Sequence, residues 1–264
     1  MTNIPAGYPR LHTTVHGSGP GILLAHGAGG SIEGNYAPLI PALAEHHTVV
    51  APDYPGSGAT PRASVPLTAD GLADALLAAA DEAGLETFTL LGYSMGTLVS
   101  VRIAARHPER VKGLVLTAGL ARPDNRVRAS LDLWQRLLAV GDVRSFARFT
   151  ALTGLGADFF DAVPEEELEA FYDTLAEGVP AGAAEQAAVV LATDTTADLP
   201  GVSVPTLVVA PTHDTLVSPA NSRFLASRIP GAEYAELPTG HVPAAERPQE
   251  WQKLITDFLA RHGL

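Results

Sequence analysis

Seven short runs of apolar and β-branched residues, spaced by helical stretches, constrain this chain more than any other feature. They fall at residues 11–16, 22–25, 48–51, 87–91, 111–116, 206–210 and 232–237. Ile22-Leu23-Leu24-Ala25 and Thr48-Val49-Val50-Ala51 are too short for buried helices, and each stops at a turn signal. Runs apolar at consecutive positions must be covered on both faces. The first, 11–16, alternates instead, which suits an edge strand. Helical periodicity occupies 36–45, 68–83, 97–106, 218–229 and 248–261. Leu72, Leu76 and Ala79 share one face of the second of these. Trp251, Leu254, Ile255, Phe258 and Leu259 share one face of the last. Strands alternating with helices of this length make βαβ units. The expected fold class is therefore α/β, with a mostly parallel central sheet flanked by helices.

The alternation stops between residues 120 and 198. Helices are expected at 126–140, 142–152, 164–177 and 182–192, with no strand between them. Asp142 suits an N-cap, and Pro164 followed by Glu165-Glu166-Glu167 suits a first helical turn. A helical insertion between two sheet strands reads as a cap over the carboxyl edge of the sheet. The expected division is a core of residues 1–119 and 199–264 and a cap of residues 120–198, forming a single structural unit.

Gly92-Tyr93-Ser94-Met95-Gly96 lies between the run at 87–91 and the helix at 97–106. A G-x-S-x-G between strand and helix is a nucleophile elbow: the sharp turn strains its central residue and lifts the serine oxygen above the sheet. Glycines on either side remove the Cβ atoms that collide in such a turn. A serine hydroxyl needs a base, and the base needs an orienting acid. Behind such an elbow the order is serine, acid, histidine. Asp214 follows the run at 206–210 after Pro211-Thr212-His213, and His241 follows the run at 232–237 after Pro238-Thr239-Gly240. Ser94, Asp214 and His241 are thus expected on one rim, at the carboxyl ends of strands.

Other acids and histidines fit other tasks. Asp53 reads as a turn or cap residue. Asp194 and Asp198 precede their strand and lie at the wrong end. Asp124, just beyond the run at 111–116, is the rival acid. Of the nine histidines, His26 reads as a loop-holding residue, His46 and His47 as helix-end cations, and His213 as structural or pocket-lining. An oxyanion needs two N–H donors. The expected pair is Met95, at the helix N-terminus, and Ala28 in His26-Gly27-Ala28-Gly29-Gly30, with Gly27 or Gly29 as the alternative to Ala28. Substrate-binding positions are expected at Tyr93, Trp134 and Val242. The Gly-rich loop lacks both the P-loop Lys-Ser/Thr and a G-x-G-x-x-G, so it does not read as a phosphate cradle.

Composition narrows the partners. The chain has 264 residues, 46% hydrophobic and 17% charged, a balance that suits one globular unit. Its 17 basic and 29 acidic residues give a net charge of −12 without a basic patch, which argues against nucleic acid and anionic membranes as partners. The absence of cysteine excludes disulfides, thiolate metal sites and a cysteine nucleophile. No apolar run reaches the roughly 18 residues of a membrane span. Residues 1–10 carry Pro5, Gly7 and Pro9 and no apolar leader core, so a cytoplasmic location is expected. No metal or cofactor is expected. None of these features specifies an oligomeric state.

Together these residues resemble the α/β-hydrolase superfamily over nearly the whole chain. The matching features are His26-Gly27, Asp53-Tyr54-Pro55-Gly56-Ser57-Gly58, the elbow, the stretch 205–214, and Gly240-His241 followed by Glu246 and Pro248. The stretch from Ala210-Pro211-Thr212-His213-Asp214 to Glu246-Arg247 looks like the lactonase and small-esterase branch, which includes 3-oxoadipate enol-lactonases. The resemblance implies Ser94 as nucleophile, Asp214 as acid, His241 as base, and a variable cap that sets the substrate. It implies hydrolysis of a small-molecule ester, lactone or other acyl substrate through an acyl-serine. Thioesterases, C–C hydrolases, lyases and acyl-transferring cyclases of this fold reuse the same triad, and some members only bind small molecules. Haloalkane dehalogenases and epoxide hydrolases carry aspartate at the elbow, where this chain has Ser94. Thr97 replaces a common second glycine, from which slightly looser strand–helix packing is expected.

Overall fold

A computed structural model describes residues 4–264. The first three residues of the stretch 1–10 lie outside the described residues. The strands are β1 (Thr13–His16), β2 (Gly21–Ala25), β3 (Thr48–Pro52), β4 (Phe88–Tyr93), β5 (Val111–Thr117), β6 (Thr206–Pro211) and β7 (Glu233–Leu237). They form one 7-stranded sheet in the order β1-β3-β2-β4-β5-β6-β7. β1 pairs antiparallel with β3 at one edge, and every other pairing is parallel.

Side chains on each strand alternate between two covered faces. Along β2, Leu23 and Ala25 join one core cluster while Ile22 and Leu24 join the other. The first face is covered by α3 (Ala69–Glu82), α4 (Met95–Arg106) and α10 (Pro219–Arg228) through Leu72, Leu76, Leu98, Val101 and Leu225. The second is covered by α1 (Ile32–Tyr36), α2 (Ile40–Ala44) and α12 (Pro248–His262) through Tyr36, Leu43, Trp251, Ile255 and Phe258. Burying each such side chain contributes about 1.5–3 kcal/mol. The buried polar atoms at this seam are matched: Trp251 Nε1 donates to Thr117 Oγ1 at 3.1 Å, and the Tyr36 hydroxyl donates to Leu91 O at 2.9 Å.

Between β5 and β6 lie α5 (Asn125–Ala139), α6 (Val143–Gly154), α7 (Ala157–Phe160), α8 (Leu168–Glu177) and α9 (Ala183–Ala192), and no strand. Asp142 N-caps α6, its carboxylate accepting Ser145 N–H at 3.0 Å. Glu165–Glu167 form a 3-10 turn ahead of α8 rather than its first α-turn. Their side chains are exposed, so no packing favours the wider turn. The single helix expected at 36–45 is instead α1 and α2. Pro38 lacks the N–H that would continue the first, while Pro41 starts the second. A last short helix, α11 (Pro243–Glu246), stands where only a loop was expected. None of the described helices is long and apolar enough to cross a membrane.

Candidate active site

The chain leaves β2 to form β3 on one side, then returns to form β4 on the other. This reversal opens a crevice at the carboxyl ends of β2 and β4, where open α/β sheets hold ligands. Ser94 sits there with φ 52° and ψ −119°, a conformation L-residues avoid, and such a residue carries about 1–3 kcal/mol of strain. Its surroundings hold it in place. A Cβ on Gly92 would lie 2.5 Å from Ser100 Oγ, and one on Gly96 would overlap the Ala25 carbonyl. Both glycines therefore allow α4 to sit directly on β4 and β2. Ser94 N–H donates to Thr117 O at 3.0 Å. Thr97 is fully buried, and its hydroxyl donates to Ser94 O at 2.7 Å and lies 3.3 Å from the Leu120 N–H. The looser packing expected at Thr97 is thus absent, because its hydroxyl ties the elbow to the segment after β5.

Ser94 Oγ lies 2.9 Å from His241 Nε2, and His241 Nδ1 lies 2.6 Å from Asp214 Oδ2. Asp214 is 5% exposed, and its other oxygen accepts the N–H groups of Leu216 at 2.9 Å and Val217 at 2.8 Å. Those two bonds fix the carboxylate so that Oδ2 faces the imidazole. The histidine loop is fastened at several points. His241 N–H donates to Gly154 O at 2.6 Å, and the Tyr93 hydroxyl donates to His241 O at 2.6 Å. Glu246 accepts from Gly240 N–H at 2.8 Å and Gly156 N–H at 3.2 Å. Burial, followed by the negative charges of Asp214 and Glu246, pushes the Tyr93 hydroxyl well above its usual pKa, so it stays a donor.

The loop after β2 faces the same spot, with Gly27 against the Tyr93 ring and Ser94. His26 is fully buried. Its Nδ1–H donates to Gly27 O at 2.8 Å, and its Nε2 accepts Tyr54 N–H at 2.9 Å. Accepting that bond requires a neutral ring, and burial lowers the His26 pKa to about 4. Gly27 N–H donates to Asn35 Oδ1 at 2.9 Å, and Gly29 N–H donates to Gln186 Oε1 at 2.9 Å. Among the described residues, the N–H groups of Ala28 and Met95 have no hydrogen-bond partner. The alternatives Gly27 and Gly29 are both occupied.

Above these groups is a cavity of about 300 Å³. Its walls include Leu131, Trp134, Phe146, Leu175, Val179 and Val190, and no lysine, arginine, aspartate or glutamate lines it. Tyr93, Trp134 and Val242, the expected substrate-binding positions, all border it with Ser94 and His241. Trp134 meets Phe146 edge-on at 4.9 Å.

The remaining candidates lie elsewhere. Asp124 N-caps α5 by accepting Val127 N–H at 2.9 Å, and its second oxygen accepts from Asn221 at 2.8 Å. Asp53 accepts Ile32 N–H at 2.8 Å. His213 is exposed and borders a surface hollow beside Leu155 and Phe160, away from Ser94. Sequence reasoning passed over Asn35 and Gln186. Asn35 stands ahead of the helix expected to begin at 36, and nothing in the sequence marks it. Gln186 does carry a signal: it lies on the buried face Ala183, Gln186, Ala187, Val190, as a lone polar residue in an apolar stripe.

Known proteins match this chain over nearly its whole length. Pyrrolizixenacetamide deacetylase of Xenorhabdus hominickii is 33% identical over 261 residues, covering 98% of each chain. Pimeloyl-[acyl-carrier protein] methyl ester esterase of Stenotrophomonas maltophilia is 30% identical, with 95% of this chain and 96% of that protein covered. The crystal structure of an enol-lactonase from Burkholderia xenovorans superposes with a TM-score of 0.83 at 29% identity, covering 95% of this chain and 96% of that one. These relatives are hydrolases, and the model of the alpha/beta hydrolase fold matches residues 20–248, so the chain belongs to the α/β-hydrolase family.

Proposed function

We propose that this hydrolase cleaves a carboxylic ester or lactone through an acyl-serine, with Ser94 as nucleophile, His241 as base and Asp214 as its orienting acid. The observation that carries the reading is the continuous chain Ser94 Oγ, His241, Asp214, at 2.9 and 2.6 Å, opening into an uncharged cavity. His241 Nε2 takes the Ser94 proton as Oγ attacks the carbonyl carbon. The carbonyl oxygen becomes an oxyanion and receives the free N–H groups of Ala28 and Met95. His241 then protonates the leaving alkoxide, the C–O bond breaks, and the acyl group remains on Ser94. Water, deprotonated by the same imidazole, attacks the acyl-serine; the acyl–Oγ bond breaks, His241 returns the proton to Ser94 Oγ, and the acid is released. Residues 120–198 act as a cap, and Tyr93, Trp134 and Val242 shape the binding cavity beneath it. The substrate portion held there is a small, uncharged, mostly apolar group, because the walls offer nothing to pair with a charge.

A second reading is hydrolysis of an acetylated amine. It is favoured by the 33% identity over 98% of both chains with the deacetylase. A rate panel of matched esters, lactones, thioesters and acetamides separates the two. Ser94→Ala is expected to lower kcat at least about 10³-fold on the preferred substrate. Full activity in that variant would remove the assignment of Ser94.

A further inference from the structure

The loop that carries Ala28 is held from two sides by amide side chains. Asn35 Oδ1 accepts the N–H before Ala28, and Gln186 Oε1 accepts the N–H after it, each at 2.9 Å. Of three successive N–H groups, only the middle one is left free. Glycines occupy the flanking positions, and Gly29 has φ 67°, a left-handed conformation that turns the chain between the two anchors.

Gln186 uses both ends of its amide on the loops beside the site. It is fully buried within the apolar face of α9, a position where an unpaired amide is destabilising. Its Nε2 donates to Pro55 O at 3.2 Å and Ser57 Oγ at 2.8 Å. The Ser57 hydroxyl in turn donates to Gly30 O at 2.7 Å. One side chain from the helical insertion therefore joins the loop after β2 to the loop after β3. A merely space-filling residue at this position would be apolar, as Ala183, Ala187 and Val190 are.

We propose that Asn35 and Gln186 are positioning residues that jointly aim the Ala28 N–H at the reacting carbonyl oxygen. The inference rests on the serine-hydrolase reading above. It adds that the donor is assembled by the insertion as well as by the sheet. Preorganised donors act where charge develops in the transition state, so loosening them lowers kcat more than it weakens substrate binding.

The test uses Asn35→Leu and Gln186→Met, which remove the acceptors at nearly constant volume, with p-nitrophenyl butyrate as substrate. Each is expected to lower kcat about tenfold, with KM changed by less than about twofold. A trifluoromethyl ketone, which forms a tetrahedral oxyanion on serine, is expected to lose affinity in step with kcat/KM. The double variant is expected to lose less than the product of the two single losses, because both anchors serve one N–H. Asn35 is only partly buried, so Asn35→Leu remains informative if Gln186→Met folds poorly. A matched rise in KM with unchanged kcat, or unaltered ketone affinity, would overturn the proposal. Undiminished activity of Ser94→Ala would instead overturn the underlying reading, independently of either variant.

Discussion

Ser94 keeps a strained backbone because its neighbours leave it no other path, and the residues around it are similarly over-determined. His26 is the clearest case for measurement. Its two ring nitrogens serve Gly27 O and Tyr54 N–H, and burial holds its pKa at about 4 against an ordinary value of 6.5. Between those values the unfolded chain binds a proton that the folded chain does not. Stability therefore falls as pH drops from 6.5 toward 4 and is independent of this group above 6.5. The full effect is on the order of 3 kcal/mol. Urea midpoints measured across that window are expected to fall more steeply for the native protein than for His26→Asn. Equal slopes would mean that His26 is not the group responsible.

Elements carry the next set of consequences. The hydroxyl of Thr97 bridges the start of α4 to the chain beyond β5, so Thr97→Val is expected to cost about 1–2 kcal/mol in denaturant unfolding, with the fold intact. At the other extreme is α8. None of its residues is buried, and its ties to α6 include the exposed pairs Arg144–Glu169, Arg144–Asp173 and Arg148–Glu169. Exposed pairs contribute about 0–1 kcal/mol each. Hydrogen exchange is expected to be faster along α8 than along α4, and slower exchange in α8 would contradict this assignment of local stability. The contrast also explains what the sequence made legible. β2, β4 and β6 could be read because unbroken apolar runs closed by turns admit few alternatives. The elbow could be read because its glycines and flanks agree. The break between α1 and α2 depended on how Pro38 and Pro41 divide a periodic stretch, which periodicity alone does not reveal. Asn35 escaped because its partner is a backbone N–H, which leaves no composition signal, whereas Gln186 showed only as a polar residue in an apolar stripe, with its partners Gly29, Pro55 and Ser57 far away in sequence.

At the scale of the whole molecule, charge and cavity act together. A net charge of −12 surrounds a cavity with no cationic lining residue. A substrate bearing a carboxylate in the buried portion must lose its hydration without gaining a partner. Between a neutral ester and its isosteric carboxylate-bearing analogue, kcat/KM is expected to favour the neutral one by at least about 10²-fold. Comparable rates would show that the charge stays in solvent during turnover.

Gln186 finally bears on how the cavity could be rebuilt. The insertion between β5 and β6 supplies cavity walls that include Leu131, Trp134, Phe146, Leu175, Val179 and Val190, so an engineer seeking a new cavity would exchange it. Here the exchanged piece carries a contact that finishes the loop beneath it. A transplanted insertion of any other sequence inherits the new walls but leaves Gly29, Ser57 and Pro55 without their shared partner, unless an amide returns at the same place. Exchange of the insertion therefore has to preserve that side chain as well as the backbone ties made by Gly154, Gly156 and Gly182.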